Sequence, residues 1–111
     1  MFAEVPSNLE WLTPWEPVND PNEELVAELK KELGPDHILH GLEYVALGHR
    51  IDCDDFLFAT SDQHKPLAVV HLTWKGNTEA DQRWPSSAIH SDWQDWIARC
   101  LVIRRTPGNE H

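Results

Sequence analysis

Residues 42–74 read LEYVALGHRIDCDDFLFATSDQHKPLAVVHLTW, and three β-forming runs inside this stretch decide the fold class. Leu42-Glu43-Tyr44-Val45-Ala46-Leu47 and Phe56-Leu57-Phe58-Ala59-Thr60 are rich in aromatic and branched side chains. Leu67-Ala68-Val69-Val70-His71-Leu72-Thr73-Trp74 is apolar on both parities, which predicts the central strand of a sheet. The connections around Asp52-Cys53-Asp54-Asp55 and Ser61-Asp62-Gln63-His64-Lys65-Pro66 are short and polar, so consecutive strands pair as an antiparallel meander.

Helices are expected on both sides of this segment in the chain. Asp20 offers an N-cap, Pro21 suits a first helical position, and Glu23 completes a capping box. Leu25, Val26, Leu29 and Leu33 recur at spacings of three and four, Lys30 and Lys31 complement the final turn, and Gly34-Pro35 stops it, predicting a helix over about residues 21–33. Ser91-Asp92-Trp93-Gln94 is a second capping box, followed by Trp93, Trp96, Ile97, Cys100 and Leu101 at helical spacing, with Asp95 and Arg99 as an i,i+4 pair on the exposed side. The expected architecture is α+β, in the order α-β-β-β-α: a three-stranded antiparallel sheet with both helices on one face. Residues 1–19, where Pro6, Pro14 and Pro17 alternate with Leu9, Trp11, Leu12 and Trp15, read as an ordered arm, residues 20–105 as one domain, and residues 106–111 as a polar tail.

Composition bounds the function. The 111 residues carry 19 acidic and 9 basic side chains, a net charge of −10. The acidity is uneven: residues 1–64 hold 14 acidic and 3 basic groups, residues 65–111 hold 5 and 6. Such a field repels nucleic-acid phosphates and favours a basic protein partner. The longest aliphatic run, Leu67-Ala68-Val69-Val70, is far short of the roughly 20 residues a membrane helix needs, and Met1-Phe2-Ala3-Glu4-Val5-Pro6 lacks the features of a signal peptide, so a cytoplasmic protein is expected. Cys53 and Cys100 are widely spaced and read as small reduced hydrophobes.

Arg50-Ile51-Asp52-Cys53-Asp54-Asp55-Phe56-Leu57-Phe58, Ala68-Val69-Val70-His71-Leu72-Thr73-Trp74, Arg83-Trp84-Pro85 and Trp93-Gln94-Asp95-Trp96 together resemble a group of small, uncharacterised bacterial proteins. The resemblance spans roughly residues 45–97. It implies compact α+β structure and a bacterial origin, and it assigns no catalytic residue.

The candidate site residues come from the side chains themselves. Asp52, Asp54 and Asp55 lie near His49 but lack the glycine and distant glutamate of a calcium loop, and His37 with His40 lacks two further zinc ligands, so neither a metal nor any other cofactor is expected. Strand alternation separates Val69, His71 and Thr73 from Ala68, Val70, Leu72 and Trp74, which would leave His71 on an open face beside His49. Arg83 beside Trp84 presents a guanidinium suited to a carboxylate. Two functions follow as expectations. The first is an immunity-like or regulatory module that meets a basic partner through its acidic part. The second is a small hydrolase or ligand-binding domain using His71 with His49 and Asp52 or Asp54; a cleft with His71 in hydrogen-bond reach of one of the carboxylates in residues 52–55 favours this second function, and a flat acidic face the first.

Overall fold

The computed structural model describes residues 2–74 and 85–101. Strands β1 (Trp15–Pro17), β2 (Tyr44–Arg50), β3 (Asp55–Thr60), β4 (Leu67–His71) and β5 (Ser87–His90) form one antiparallel sheet in sequence order. Helix α1 (Glu24–Glu32) lies between β1 and β2, and α2 (Trp93–Trp96) follows β5 and runs on into a π-helical turn, Ile97–Leu101. The fold is α+β, but the sheet has five strands where the sequence predicts three. The two additional strands, β1 and β5, are three and four residues long, too short to show a period-two pattern.

The helices also occupy opposite faces rather than one. Phe56, Phe58, Ala68 and Val70 form a buried cluster with Val26, Leu29 and Leu33 around α1. Leu57, Ala59 and Leu67 point the other way and bury Trp96 of α2 together with Trp15. Every residue of β3 from Phe56 to Thr60 is therefore buried, as a strand covered on both sides must be. The arm supplies much of the second cover, with Leu9, Trp11 and Leu12 packed against the Trp96 cluster.

Asp20 caps α1 as its sequence suggests, although the helix starts later. Its carboxylate accepts the backbone N–H groups of Glu24 (2.9 Å), Leu25 (3.1 Å) and Val26 (3.3 Å). Glu23 holds the N-cap position in a left-handed conformation, with φ of 55°, and makes no side-chain cap of its own. In α2 the cap is Asp92 and not Ser91 at the head of the expected box, and Asp92 accepts the Asp95 N–H at 2.8 Å; the expected Asp95–Arg99 pair is present at 2.8 Å.

A β-bulge in β2 between Ala46 and Gly48 organises the site end of the sheet. It places two consecutive residues opposite one on β3 and reverses the side-chain parity beyond it. At Gly48 an added Cβ would lie 2.8 Å and 2.9 Å from ring atoms of Trp11. Gly48→Ala is expected to push the arm off the sheet and to cost about 1–3 kcal/mol, the usual range for overpacking; an unchanged urea midpoint would show that Trp11 is not held there.

Candidate functional site

Beyond the bulge, four directly opposed residues cross four strands: Trp15 of β1 faces Arg50 of β2, Arg50 faces Asp55 of β3, and Asp55 faces His71 of β4. Strand alternation sets this row on the face that carries Leu57, Val69 and α2. A pocket of about 190 Å3 opens beside it, lined by Trp15, Arg50, Asp55 and Val69 from the sheet and by Arg99 and Cys100 from the turn after α2.

His71 Nδ1 lies 2.8 Å from Asp55 Oδ1. An ionised carboxylate only accepts hydrogen bonds, so Nδ1 is the donor, and in the neutral imidazole the Nε2 lone pair points away from Asp55. The side chains are 47% and 27% exposed, so this orientation is reached without burying either group. Arg50 stands on the other flank of Asp55, but its guanidinium is engaged by Asp52, with Nε 2.8 Å from Oδ1 and Nη2 3.3 Å from Oδ2. Arg99 is likewise tied to Asp95. Burial pushes the Cys100 thiol up to about 11, which keeps it protonated at neutral pH and unsuited to nucleophilic attack. Burial also raises Cys53 above its ordinary value.

The sequence-predicted residues divide. Asp55 and His71 are brought together. His49 is not with them: the bulge turns it to the α1 face, where its ring stacks on Phe56 at 4.3 Å and its Nε2 lies 3.2 Å from the Cys53 carbonyl. Strict alternation would have placed His49 on the His71 face, so the shared face expected for the two histidines is lost to one inserted residue. Asp52 serves Arg50, and the exposed Asp54 contributes its carbonyl to the Leu72 N–H at 3.0 Å. Arg83 and Trp84 lie outside the described residues.

No family model, curated protein or solved structure matches this chain.

The pocket beside the row is lined by groups that the sequence does not single out as site residues, namely Trp15, Arg50, Arg99 and Cys100. Arg50 becomes visible only once the register of the bulged hairpin is known. His37, considered as a metal ligand, is instead a buried structural residue: its Nδ1 accepts the Leu39 N–H at 3.1 Å and its Nε2 lies 2.9 Å from the Pro85 carbonyl, while His40 is exposed. Among the described residues no helix is long and apolar enough to cross a membrane.

All five described cations, Lys30, Lys31, Arg50, Lys65 and Arg99, are ion-paired with carboxylates of the same chain. No described cation pairs with Glu16 on β1 or with Asp20, Glu23 and Glu24 at the start of α1. These four acids run from β1 to the first residue of α1 in the chain, and Asp20 and Glu23 stand beside Tyr44, Val45, Ala46 and Leu47 of β2.

Proposed function

We propose that the protein is an interaction module that recognises a basic partner through the acidic edge formed by Glu16, Asp20, Glu23 and Glu24. The observation that supports this reading is the internal pairing of every described cation, which leaves Glu16, Glu23 and Glu24 without a cation among the described residues, while Asp20 caps α1 beside them. Exposed charges of this kind act chiefly on encounter rates and are screened over a Debye length of about 8–10 Å. The Asp52, Asp54 and Asp55 run is a poorer recognition surface than its sequence suggests, because Asp52 and Asp55 are committed to Arg50 and His71. Glu16→Lys/Glu23→Lys/Glu24→Lys is expected to slow association with a dodecalysine probe by at least about tenfold at low salt, since steering changes on-rates by 10–1,000-fold. Stopped-flow measurements that show one rate for both proteins, at low and at high salt, would sink the proposal.

A second reading is favoured by the 2.8 Å contact of His71 with Asp55, which lines the pocket while His71 itself does not. It makes the chain a ligand-binding domain or small hydrolase in which Asp55 holds the imidazole tautomer and His71 Nε2 takes a proton from an attacking water. The pocket presents no activated thiol, so water rather than Cys100 is the nucleophile in this reading. His71→Gln is then expected to lower hydrolysis of 4-nitrophenyl acetate by about 100-fold or more, the scale of general-base contributions. Equal rates for the variant and the parent protein remove the reading.

A further inference from the structure

The second half of the β1 edge is not covered by β1. That strand pairs only with Gly48, His49 and Arg50, ends at Pro17, which has no N–H to donate, and makes its last link through the Val18 N–H to the Leu47 carbonyl at 3.0 Å. The chain then leaves the sheet toward Asp20 and α1. Tyr44, Val45 and Ala46 are therefore edge residues.

Their hydrogen-bonding directions follow from the register. The Ser61 N–H donates to the Glu43 carbonyl at 3.0 Å, and Val45 stands opposite Ala59 two residues on, so Glu43 and Val45 turn their backbone groups toward β3. Tyr44 and Ala46 consequently direct their N–H and C=O groups away from β3, and among the described residues nothing hydrogen-bonds to them there. Their side chains remain anchored in the α1 core. The outward backbone groups meet a groove of about 350 Å3, whose floor and sides include Val18, Val26 and Leu47 and whose rim carries Asp20 and Glu23.

We infer that this groove accepts an extended basic segment of a partner protein as an added strand on β2. An unpaired edge is a template for main-chain pairing, and a groove wall of aliphatic side chains takes every second residue of a strand laid along it. The rim selects the occupant's charge: Asp20, Glu23 and the neighbouring Glu24 have no cation partner among the described residues, so lysine or arginine at the outward-facing positions completes them. The same acids repel the β2 edge of a second copy, which otherwise is the commonest way for an open edge to be filled. The inference rests on the basic-partner reading and adds where and how that partner docks.

The test uses the full chain, labelled with nitrogen-15, and two synthetic twelve-residue peptides of equal charge, one alternating valine with lysine and one alternating proline with lysine. The valine peptide is expected to shift the amide signals of Tyr44 and Ala46 and to slow their hydrogen exchange. The proline peptide, which cannot donate from alternate positions, is expected to bind at least about tenfold more weakly, because it forfeits two or more of the main-chain hydrogen bonds. Equal binding of the two peptides, still weakened by salt and by Glu23→Lys/Glu24→Lys, overturns strand addition and leaves the acidic-edge reading standing. Absence of binding by either peptide at low salt overturns both. Concentration-dependent protection of Tyr44 and Ala46 without any peptide assigns the edge to a second copy and overturns the basic occupant.

Discussion

Trp96→Ala is expected to destabilise the protein by about 3–5 kcal/mol, the range for removing a large aromatic from a closed core. Trp96 is fully buried and meets three other indoles edge to face, Trp11 at 5.6 Å, Trp15 at 5.3 Å and Trp93 at 5.5 Å. These partners come from the arm, from β1 and from α2 itself, so one truncation loosens the whole cover on that face of the sheet. A domain of this size has about 5–15 kcal/mol of stability in total, and the loss is a large fraction of it. Trp96→Phe keeps an aromatic ring in the cluster and removes an indole N–H that has no hydrogen-bond partner among the described residues, so it is expected to retain most of the stability. Urea unfolding that shows less than about 1 kcal/mol for the alanine variant would place the tryptophan cluster outside the cooperative core.

Glu32→Ala is expected to cost about 2–4 kcal/mol at pH 7. Glu32 is fully buried at the end of α1, and its carboxylate accepts the Thr73 N–H at 2.9 Å and 3.0 Å and the Trp74 N–H at 2.8 Å. It thereby ties α1 to the chain leaving β4, where Trp74 adopts a left-handed conformation with φ of 58°. Hydrogen bonds to charged groups contribute about 1.5–3 kcal/mol, and the alanine variant leaves the two N–H groups without that acceptor. Burial opposes ionisation of Glu32, but hydrogen bonding with Glu28 and from Thr73 and Trp74 outweighs it and holds the carboxyl below its ordinary value. The lowered value means that this contribution is complete above the ordinary carboxylate range and disappears as pH falls through the folded-state value. The stability difference between parent and Glu32→Ala is accordingly expected to shrink on acidification from pH 7 toward pH 3. A difference that stays constant across that range would show that the charge on Glu32 does not hold the Thr73–Trp74 turn.

Local pattern was enough for the elements with strong signals. The α+β class, the three longer strands, the Asp20 cap, the Asp95–Arg99 pair and the burial of Trp96 all follow from spacing and side-chain chemistry within a few residues of each position. The same local reading makes Glu32 one more charge on a helix of sequence Glu-Leu-Val-Ala-Glu-Leu-Lys-Lys-Glu, because the N–H groups it satisfies lie 41 and 42 residues away. It also makes Asp55 and His71 separate candidates, which become a pair only through the β3–β4 register.

By itself, then, the sequence determined the three longer strands and the approximate positions of the two helices, and how charge is shared between the two parts of the chain. Only the tertiary structure decided the sheet's width, the side each helix covers, and which polar groups meet. Strands of three or four residues carry too little periodicity to be recognised and form because a neighbouring edge offers hydrogen bonds. The bulge at Ala46–Gly48 decides the site in the same non-local way, since one extra residue turns His49 to the α1 face and returns Arg50 to the row with Asp55 and His71. Side-chain parity along a strand is a cumulative count, and a single residue accommodated by the packing of Trp11 over Gly48 resets it for everything that follows.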